Sequence, residues 1–252
     1  MTGIVLLAAV GLLLVVLGLV TARRPVGPIP DRDGYFDRWQ GLHGGYDPRT
    51  GNPWLRGWLS MVFVIARPLA RRGVQPDVLT LSSIWLAAAV FVPASAGGRW
   101  AILAGWVLVA SGLFDTLDGC VAVLEDRTTR WGYVLDSVVD RVNDAVYLAA
   151  VVSVGAPLRL AIACGFGFFL LEYLRARAGN AGGDEVGRVT VGERPNRVIV
   201  LAASIHFGGV FLAHRVFVAT VGLSVMTALT AVGLVQLVTT VRRQLLALPA
   251  RQ

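Results

Sequence analysis

The stretch Leu113–Arg141, LFDTLDGCVAVLEDRTTRWGYVLDSVVDR, places Asp115, Asp118, Asp136 and Asp140 between two strongly apolar flanks. Read as two helices joined by a turn at EDRTTR, it forms an antiparallel hairpin centred near residue 127. Asp118 and Asp136 are then equidistant from the turn, and Asp115 and Asp140 are equidistant to within half a residue. Asp115 and Asp118 share a helix face at i,i+3 spacing, and Asp136 and Asp140 share one at i,i+4. The hairpin therefore predicts four carboxylates at matching depths, one or two turns below the membrane surface.

Four carboxylates at close range repel one another, and burial disfavours their charged forms. Inside a membrane such groups are costly and need partners. Too few cations lie nearby in sequence to neutralise them, whereas divalent metal ions would. An all-carboxylate ligand set favours a hard ion, Mg2+ or Mn2+. Four such ligands suit two ions of the kind that clamp a phosphoryl group. The competing reading is that the aspartates cap helix ends or pair with Arg127, Arg130 and Arg141, which suits one aspartate better than four at mirrored depths. Gly119 and Gly132 lie beside the cluster, where a missing side chain admits a ligand or a neighbouring helix.

The surroundings are those of an integral membrane protein. The chain has 252 residues, 55% hydrophobic and 15% charged, with a mean hydropathy of +0.65. This excludes an ordinary soluble domain. All 23 basic residues are Arg. The net charge of +7 reads as loop charge at a membrane face rather than a nucleic-acid surface. Cys120 and Cys164 lie in apolar runs without CxxC or Cys/His clustering, so neither a disulfide framework nor zinc is indicated.

An apolar run from Ile4 to Val20 is followed by Arg23 and Arg24 and reads as a retained anchor, residues 1–22, whose C-terminal end is cytoplasmic. Residues 23–53 read as an irregular cytoplasmic linker containing an exposed His43. From Trp54 to Arg72, Trp58, Met61, Val62, Ile65 and Leu69 alternate with arginines. That pattern predicts a helix lying in the membrane interface, bent or interrupted at Pro68. Six apolar segments follow, at about 77–95, 99–123, 132–153, 157–176, 198–213 and 216–240, most long enough to cross a ~30 Å core at about 1.5 Å per residue. Loop arginines put the N-terminus outside, the C-terminus inside and the aspartates on the cytoplasmic side. The expected fold is an all-α membrane protein: a six-helix core within residues 54–245, preceded by the anchor and linker.

The spacing D-x2-D-G-x2-A-x-x8-G-x3-D-x3-D, here Asp115, Asp118, Gly119, Ala122, Gly132, Asp136 and Asp140, resembles the signature of the CDP-alcohol phosphatidyltransferases, over about residues 54–240. The resemblance implies a transferase of phospholipid biosynthesis with a CDP-alcohol donor, most often CDP-diacylglycerol, and a polar alcohol acceptor. It also implies CMP release and a homodimer in the cytoplasmic membrane, with the active site facing the cytoplasm. Asp115, Asp118, Asp136 and Asp140 would hold the metal, and Asp140 would serve as general base. Asp118, Gly119, Ala122, Gly132 and, from PDVLT, Thr80 would contact the CDP moiety. One position departs: the family has Arg after the Ala, and this chain has Val123. Arg127, Arg130 or Arg141 is then a candidate for the missing charge. Arg141 is expected to pair with Asp144, which alternatively supports the site from behind.

A second group lies in LEYLRARAG and GRVTVGERPNR. Arg175, Arg177, Arg194 and Arg197 resemble the elements that bind the phosphate of a phosphorylated acceptor, inositol phosphate or glycerol phosphate, with Glu172 and Glu193 placed to orient them. An Arg fork suits a phosphate bidentately, although topology alone also puts arginines at cytoplasmic helix ends. Arg175 and Arg177 are about 200° apart on a helix and cannot both face one ligand squarely. His206, in an apolar run, reads as a structural histidine. Two other readings compete with the enzyme: a cation- or proton-coupled transporter, whose carboxylates line an ion path, and a lapsed family member that only binds nucleotide.

Overall fold

The computed structural model describes residues 10–11, 13–18, 27–42, 45–51, 53–183 and 190–248. Most of the described residues are helical, and none lies in a strand. Among the described residues, a helical stretch at 10–18, with residue 12 outside the description, is followed by α1 Arg32–Leu42, α2 Pro53–Arg71, α3 Pro76–Ala89, α4 Phe91–Ala96, α5 Trp100–Leu124, α6 Arg130–Val154, α7 Leu158–Asn180, α8 Arg194–Val210 and α9 Arg215–Ala247, with a 3-10 turn at Leu212–His214. The predicted segments are recovered with ends shifted by a few residues. The span expected at 77–95 is divided at Val90, because Pro93 has no N–H to offer the Ala89 carbonyl one turn earlier. The short segment expected at 198–213 begins a turn sooner, at Arg194, with Pro195 in its first turn.

Among the described residues, three stretches are long and apolar enough to cross a membrane: Pro76–Ala96, Trp100–Leu124 and Leu212–Ala247. Helices α6 and α7 miss that description because every comparable window carries three or more charged residues, among them Asp136, Asp140, Glu172 and Arg175. Those charges are the candidate site itself. In the window of the last stretch only 28% of residues are buried, and Phe217, Val221, Val225, Val232 and Val235 stand outward, as a lipid-facing helix requires. Its threonines satisfy their hydroxyls locally: Thr227 donates to Leu223 O at 2.8 Å and Thr230 to Met226 O at 2.7 Å.

The chain divides into two compact units, residues 1–89 with 110–143 and residues 90–109 with 144–252. In the first, the linker expected to be irregular contains α1, which delivers Tyr35 and Phe36 to the core at 2% and 1% exposure. The Tyr35 ring stacks on Phe63 with centroids 5.7 Å apart. Burial pushes the Tyr35 hydroxyl well above its ordinary pKa, with the neighbouring Cys120 adding to the effect, so it stays protonated.

The apolar face of helix α2, through Leu59, Val62, Phe63, Ala66 and Ala70, covers this core, while Met61, expected on the buried face, is exposed, as is Val64. Burying a Val or Phe side chain stabilises by roughly 1.5–3 kcal/mol. The helix also continues through Pro68 to Arg71. Arg67 sits 5.6 Å from the Phe63 ring.

Part of the anchor run is described: residues 10, 11 and 13–18 are helical. A Cβ on Gly11 would fall 2.6 Å from the Trp85 ring, and one on Gly18 3.0 Å from Val78. Seven residues forward on one helix match seven residues backward on the other, so this segment runs antiparallel to α3 with its glycines at the contact. The rest of the anchor run, Arg23, Arg24 and His43 lie outside the described residues.

In the second unit α9 packs against α7 and α8. The contact admits only small residues at places: a Cβ on Gly233 would lie 2.9 Å from the Gly192 backbone. His206 is enclosed by Trp106 and Phe207, ring centroids at 5.8 and 5.3 Å, in keeping with a structural histidine. Cys120 and Cys164 are free and buried.

Candidate active site

Helix α5 ends at Leu124 and α6 begins at Arg130, so the hairpin is centred on residue 127. Its turn is built by local chemistry. Asp126 adopts a left-handed φ of 55°, and Arg127 N–H donates back to Ala122 O at 2.9 Å while Asp126 N–H reaches Val123 O at 3.2 Å. This is a Schellman ending with Asp where Gly is usual. Thr129 caps α6, its Oγ1 accepting from Gly132 N–H at 2.9 Å. The two caps set where each helix starts counting, and so the depth of each aspartate.

The hairpin brings Asp115, Asp136 and Asp140 together. Each offers one carboxylate oxygen, and the three lie within 4.8 Å of one another, partly buried. Asp118 is 5% exposed and is turned aside: Thr80 Oγ1 donates to its Oδ2, and Gly119 N–H meets its Oδ1 at 2.5 Å. The predicted group of four is thus three converging carboxylates with a fourth held by α3, near enough for Asp115 and Asp136 to act on it electrostatically. Thr80, read from sequence as a nucleotide neighbour, meets Asp118. Apart from its chain neighbours and its own helix backbone, no atom of the described residues lies within 4 Å of where a Gly119 Cβ would be, which leaves open space beside the cluster. Ala122 is half-buried on the following turn. A Cβ at Gly132 would sit 3.1 Å from Thr129 Oγ1 and 3.9 Å from Asp77 Oδ1.

Val123 has a structural reason. It is 7% exposed and belongs to the core formed by α1, α2 and α5, with Tyr35, Phe36 and Leu59. The cation at this point is Arg38, whose Nη1 donates to Val123 O at 3.1 Å and Leu124 O at 2.8 Å. Among the arginines proposed to replace the missing charge, Arg127 lies 3.5 Å from Glu125 and Arg141 lies 3.6 Å from Asp140. Arg38 escaped the sequence reading because 85 residues separate it from Val123 and no motif marks it. Ser83, Ser111 and Asn143 were missed as well, being single polar residues in apolar runs.

The arginine group of the second unit is organised around Arg197. This side chain is fully buried, donating from Nε to Gly192 O at 2.9 Å, from Nη1 to Asp144 at 2.8 Å and from Nη2 to Glu172 at 2.8 Å. Its guanidinium lies 4.5 Å from the Phe168 ring. Arg197 was expected to bind phosphate; instead it uses its fork on protein groups and acts as an internal post. Asp144 was expected to pair with Arg141 or to back the site, and here it holds Arg197. Arg175 bridges Glu172 at 3.1 Å and Glu193, so both glutamates orient arginines as expected. Arg194 is half-buried, while Arg177 is exposed.

Residues 74–237 match the family described as CDP-alcohol phosphatidyltransferase. The archaetidylinositol phosphate synthase of Methanothermobacter thermautotrophicus is 30% identical over 161 residues, covering 60% of this chain and 80% of that protein. The phosphatidylinositol phosphate synthase of Streptomyces avermitilis is 31% identical over 211 residues, covering 77% and 83%. The fold matches the crystal structure of Mycobacterium tuberculosis phosphatidylinositol phosphate synthase (PgsA1) with CDP-DAG bound, with a TM-score of 0.61 and 25% identity over 77% of this chain and 99% of that one. The same enzyme in complex with manganese and citrate gives a TM-score of 0.62 at 23% identity, covering 76% and 93%. The converging aspartates, their spacing and these likenesses agree: the chain belongs to the CDP-alcohol phosphatidyltransferase family.

Proposed function

We propose that this transferase moves the phosphatidyl group of CDP-diacylglycerol to a hydroxyl of inositol phosphate, releasing CMP. The observation that carries the reading is the convergence of three carboxylate oxygens within 4.8 Å, on the hairpin that bears the family spacing. Such a group repels itself and fits a hard divalent cation, Mg2+ or Mn2+. Asp115, Asp136 and Asp140 would hold it, with Asp118 contributing to a second ion. When bound, the metal supplies charge neutralisation for the donor pyrophosphate and for CMP as leaving group.

The chain's own residues do the rest. Asp140 accepts the proton of the acceptor hydroxyl as its oxygen attacks the phosphorus bearing the diacylglycerol. The bond from that phosphorus to CMP breaks, and CMP departs with the electron pair. Gly119, Ala122 and Gly132 leave room for the cytidine, and Thr80 steadies Asp118. Arg175 and Arg194 form the acceptor-phosphate site, with Arg197 holding Glu172 and Asp144 behind it; Arg177, on the far face of the helix, stands outside it. The names of the relatives favour inositol phosphate over glycerol phosphate. The acyl chains stay in the bilayer, the site faces the cytoplasm as the loop arginines predict, and the enzyme works as a homodimer, as the family resemblance implies.

The test is CMP release by purified protein with Mn2+ or Mg2+, CDP-diacylglycerol and a panel of acceptors. Release that requires metal and inositol phosphate, and is lost in Asp140→Asn, supports the reading. Equal release with glycerol phosphate overturns the acceptor, and nucleotide binding without turnover for any acceptor overturns catalysis.

A further inference from the structure

In the first unit, one turn from the carboxylate layer, the same three helices carry a second polar layer. Ser111 precedes Asp115 by four residues on α5, Ser83 follows Thr80 by three on α3, and Asn143 follows Asp140 by three on α6. At helical spacing each lies on the same face as its partner, one turn farther from the cytoplasmic hairpin turn. All three are 0% exposed. Two bonds cross between helices: Asn143 Nδ2 donates to Ser83 Oγ at 2.9 Å, and Ser111 Oγ donates to Ser83 O at 2.9 Å; within α3, Ser83 Oγ donates to Thr80 O at 2.7 Å. Thr80 in turn donates to Asp118.

In an apolar bundle this layer is a register lock. Sliding α6 by one residue past α3 would strand the Asn143 Nδ2 among hydrocarbon beside its Oδ1, which has no hydrogen-bond partner among the described residues, and an amide with neither end paired is strongly disfavoured there. Apolar side chains such as Val139 and Leu117 can slide at far smaller cost, since one hydrocarbon contact replaces another. The Asp136 and Asp140 carboxylates are fixed to the same rigid helix as Asn143, and Asp118 is fixed through Thr80 to the helix that bears Ser83. We infer that Asn143, bonded to Ser83, is a positioning residue that sets the depth and rotation of Asp136 and Asp140 against Asp115 and Asp118. This inference rests on the metal-dependent reading of those aspartates.

The experiment is Mn2+ binding to the purified full chain, by calorimetry and by electron paramagnetic resonance, in wild type, Asn143→Leu, Ser83→Ala and the double variant, with thermal unfolding alongside. Outer-shell partners of a metal site are typically worth 10–100-fold in affinity, so Asn143→Leu is expected to weaken Mn2+ at least ten-fold. Ser83→Ala, the milder change that keeps the fold, is expected to weaken it several-fold. The double variant is expected to be no worse than Asn143→Leu, because both remove one bond. At saturating metal, kcat falls more than the KM for inositol phosphate rises. Wild-type Mn2+ affinity in Asn143→Leu, or lowered thermal stability with unchanged affinity in both single variants, overturns the inference. A wild-type protein that binds Mn2+ yet transfers nothing to inositol phosphate sinks the acceptor reading while this comparison of affinities stands.

Discussion

Arg38 and Leu124 are joined by a 2.8 Å hydrogen bond from guanidinium to main-chain carbonyl, which ties α1 to the C-terminal end of the helix bearing Asp115 and Asp118. The last carbonyls of a helix have no intrahelical donor and carry its negative end, so a cation there satisfies both needs. Arg38→Ala is expected to destabilise the protein by about 1.5–3 kcal/mol, the usual range for hydrogen bonds involving a charged group. Thermal unfolding in detergent checks this, and Arg38→Lys should recover part of the loss.

Val123→Arg is the complementary change. It restores the residue usual in the family, but at a position 7% exposed and enclosed by Tyr35 and Phe36. A buried, unpaired guanidinium costs several kcal/mol. The expected result is a lower unfolding temperature and no gain in CMP release; a faster, equally stable variant would show that α1 yields to the new side chain.

Asp126→Gly removes the cost of holding an L-residue at φ 55°. Because Gly takes the left-handed position freely, the variant should be more stable by up to about 1 kcal/mol. CMP release should be unchanged, because the turn geometry is kept. Denaturation midpoints of the two proteins decide it.

Asp144→Asn removes the more buried of the two carboxylates that hold Arg197, both at 2.8 Å, and leaves it Glu172. Removing one member of a buried ion pair typically costs about 3–5 kcal/mol. Arg175→Ala, by contrast, touches a half-buried residue and is expected to raise the acceptor KM ten-fold or more while the donor KM stays within about two-fold, since a bidentate phosphate contact is worth a few kcal/mol. Unfolding curves for the first and a KM comparison for the second separate structural from binding arginines.

Chelation should abolish CMP release, with Mn2+ or Mg2+ restoring it. Asp140→Asn should lower kcat by about 10²–10⁴-fold, the usual worth of a general base, without unfolding the protein, because it relieves repulsion among three carboxylates. Residual activity of Asp140→Asn that rises steeply with pH would instead point to solvent hydroxide doing the work of the base.

Much of the candidate site is legible in the sequence because it is built from one hairpin. Helical period and a short turn are enough to place Asp115 opposite Asp140, and the charges that interrupt α6 and α7 mark the candidate residues. Asp118 shows the limit. Its spacing equips it to join the other three, yet a hydroxyl on α3, 38 residues earlier, takes its carboxylate. The same holds for Arg197: its position at a cytoplasmic helix end reads as phosphate binding, and only the positions of Asp144 and Glu172 turn it inward.

By itself, then, the sequence determined the helices, the membrane class, the mirrored aspartates and the family, since each depends on periodicity or spacing within a short stretch. Tertiary structure decided where each side chain is directed when two partners compete for it. It laid the apolar face of α2 on the core, formed α1 within the expected linker, and set Arg38 rather than an arginine at 123 beside the end of α5. Those outcomes depend on which helices become neighbours. A contact across 85 residues is chosen by the total burial and hydrogen bonding of the folded chain, and no local pattern carries that information.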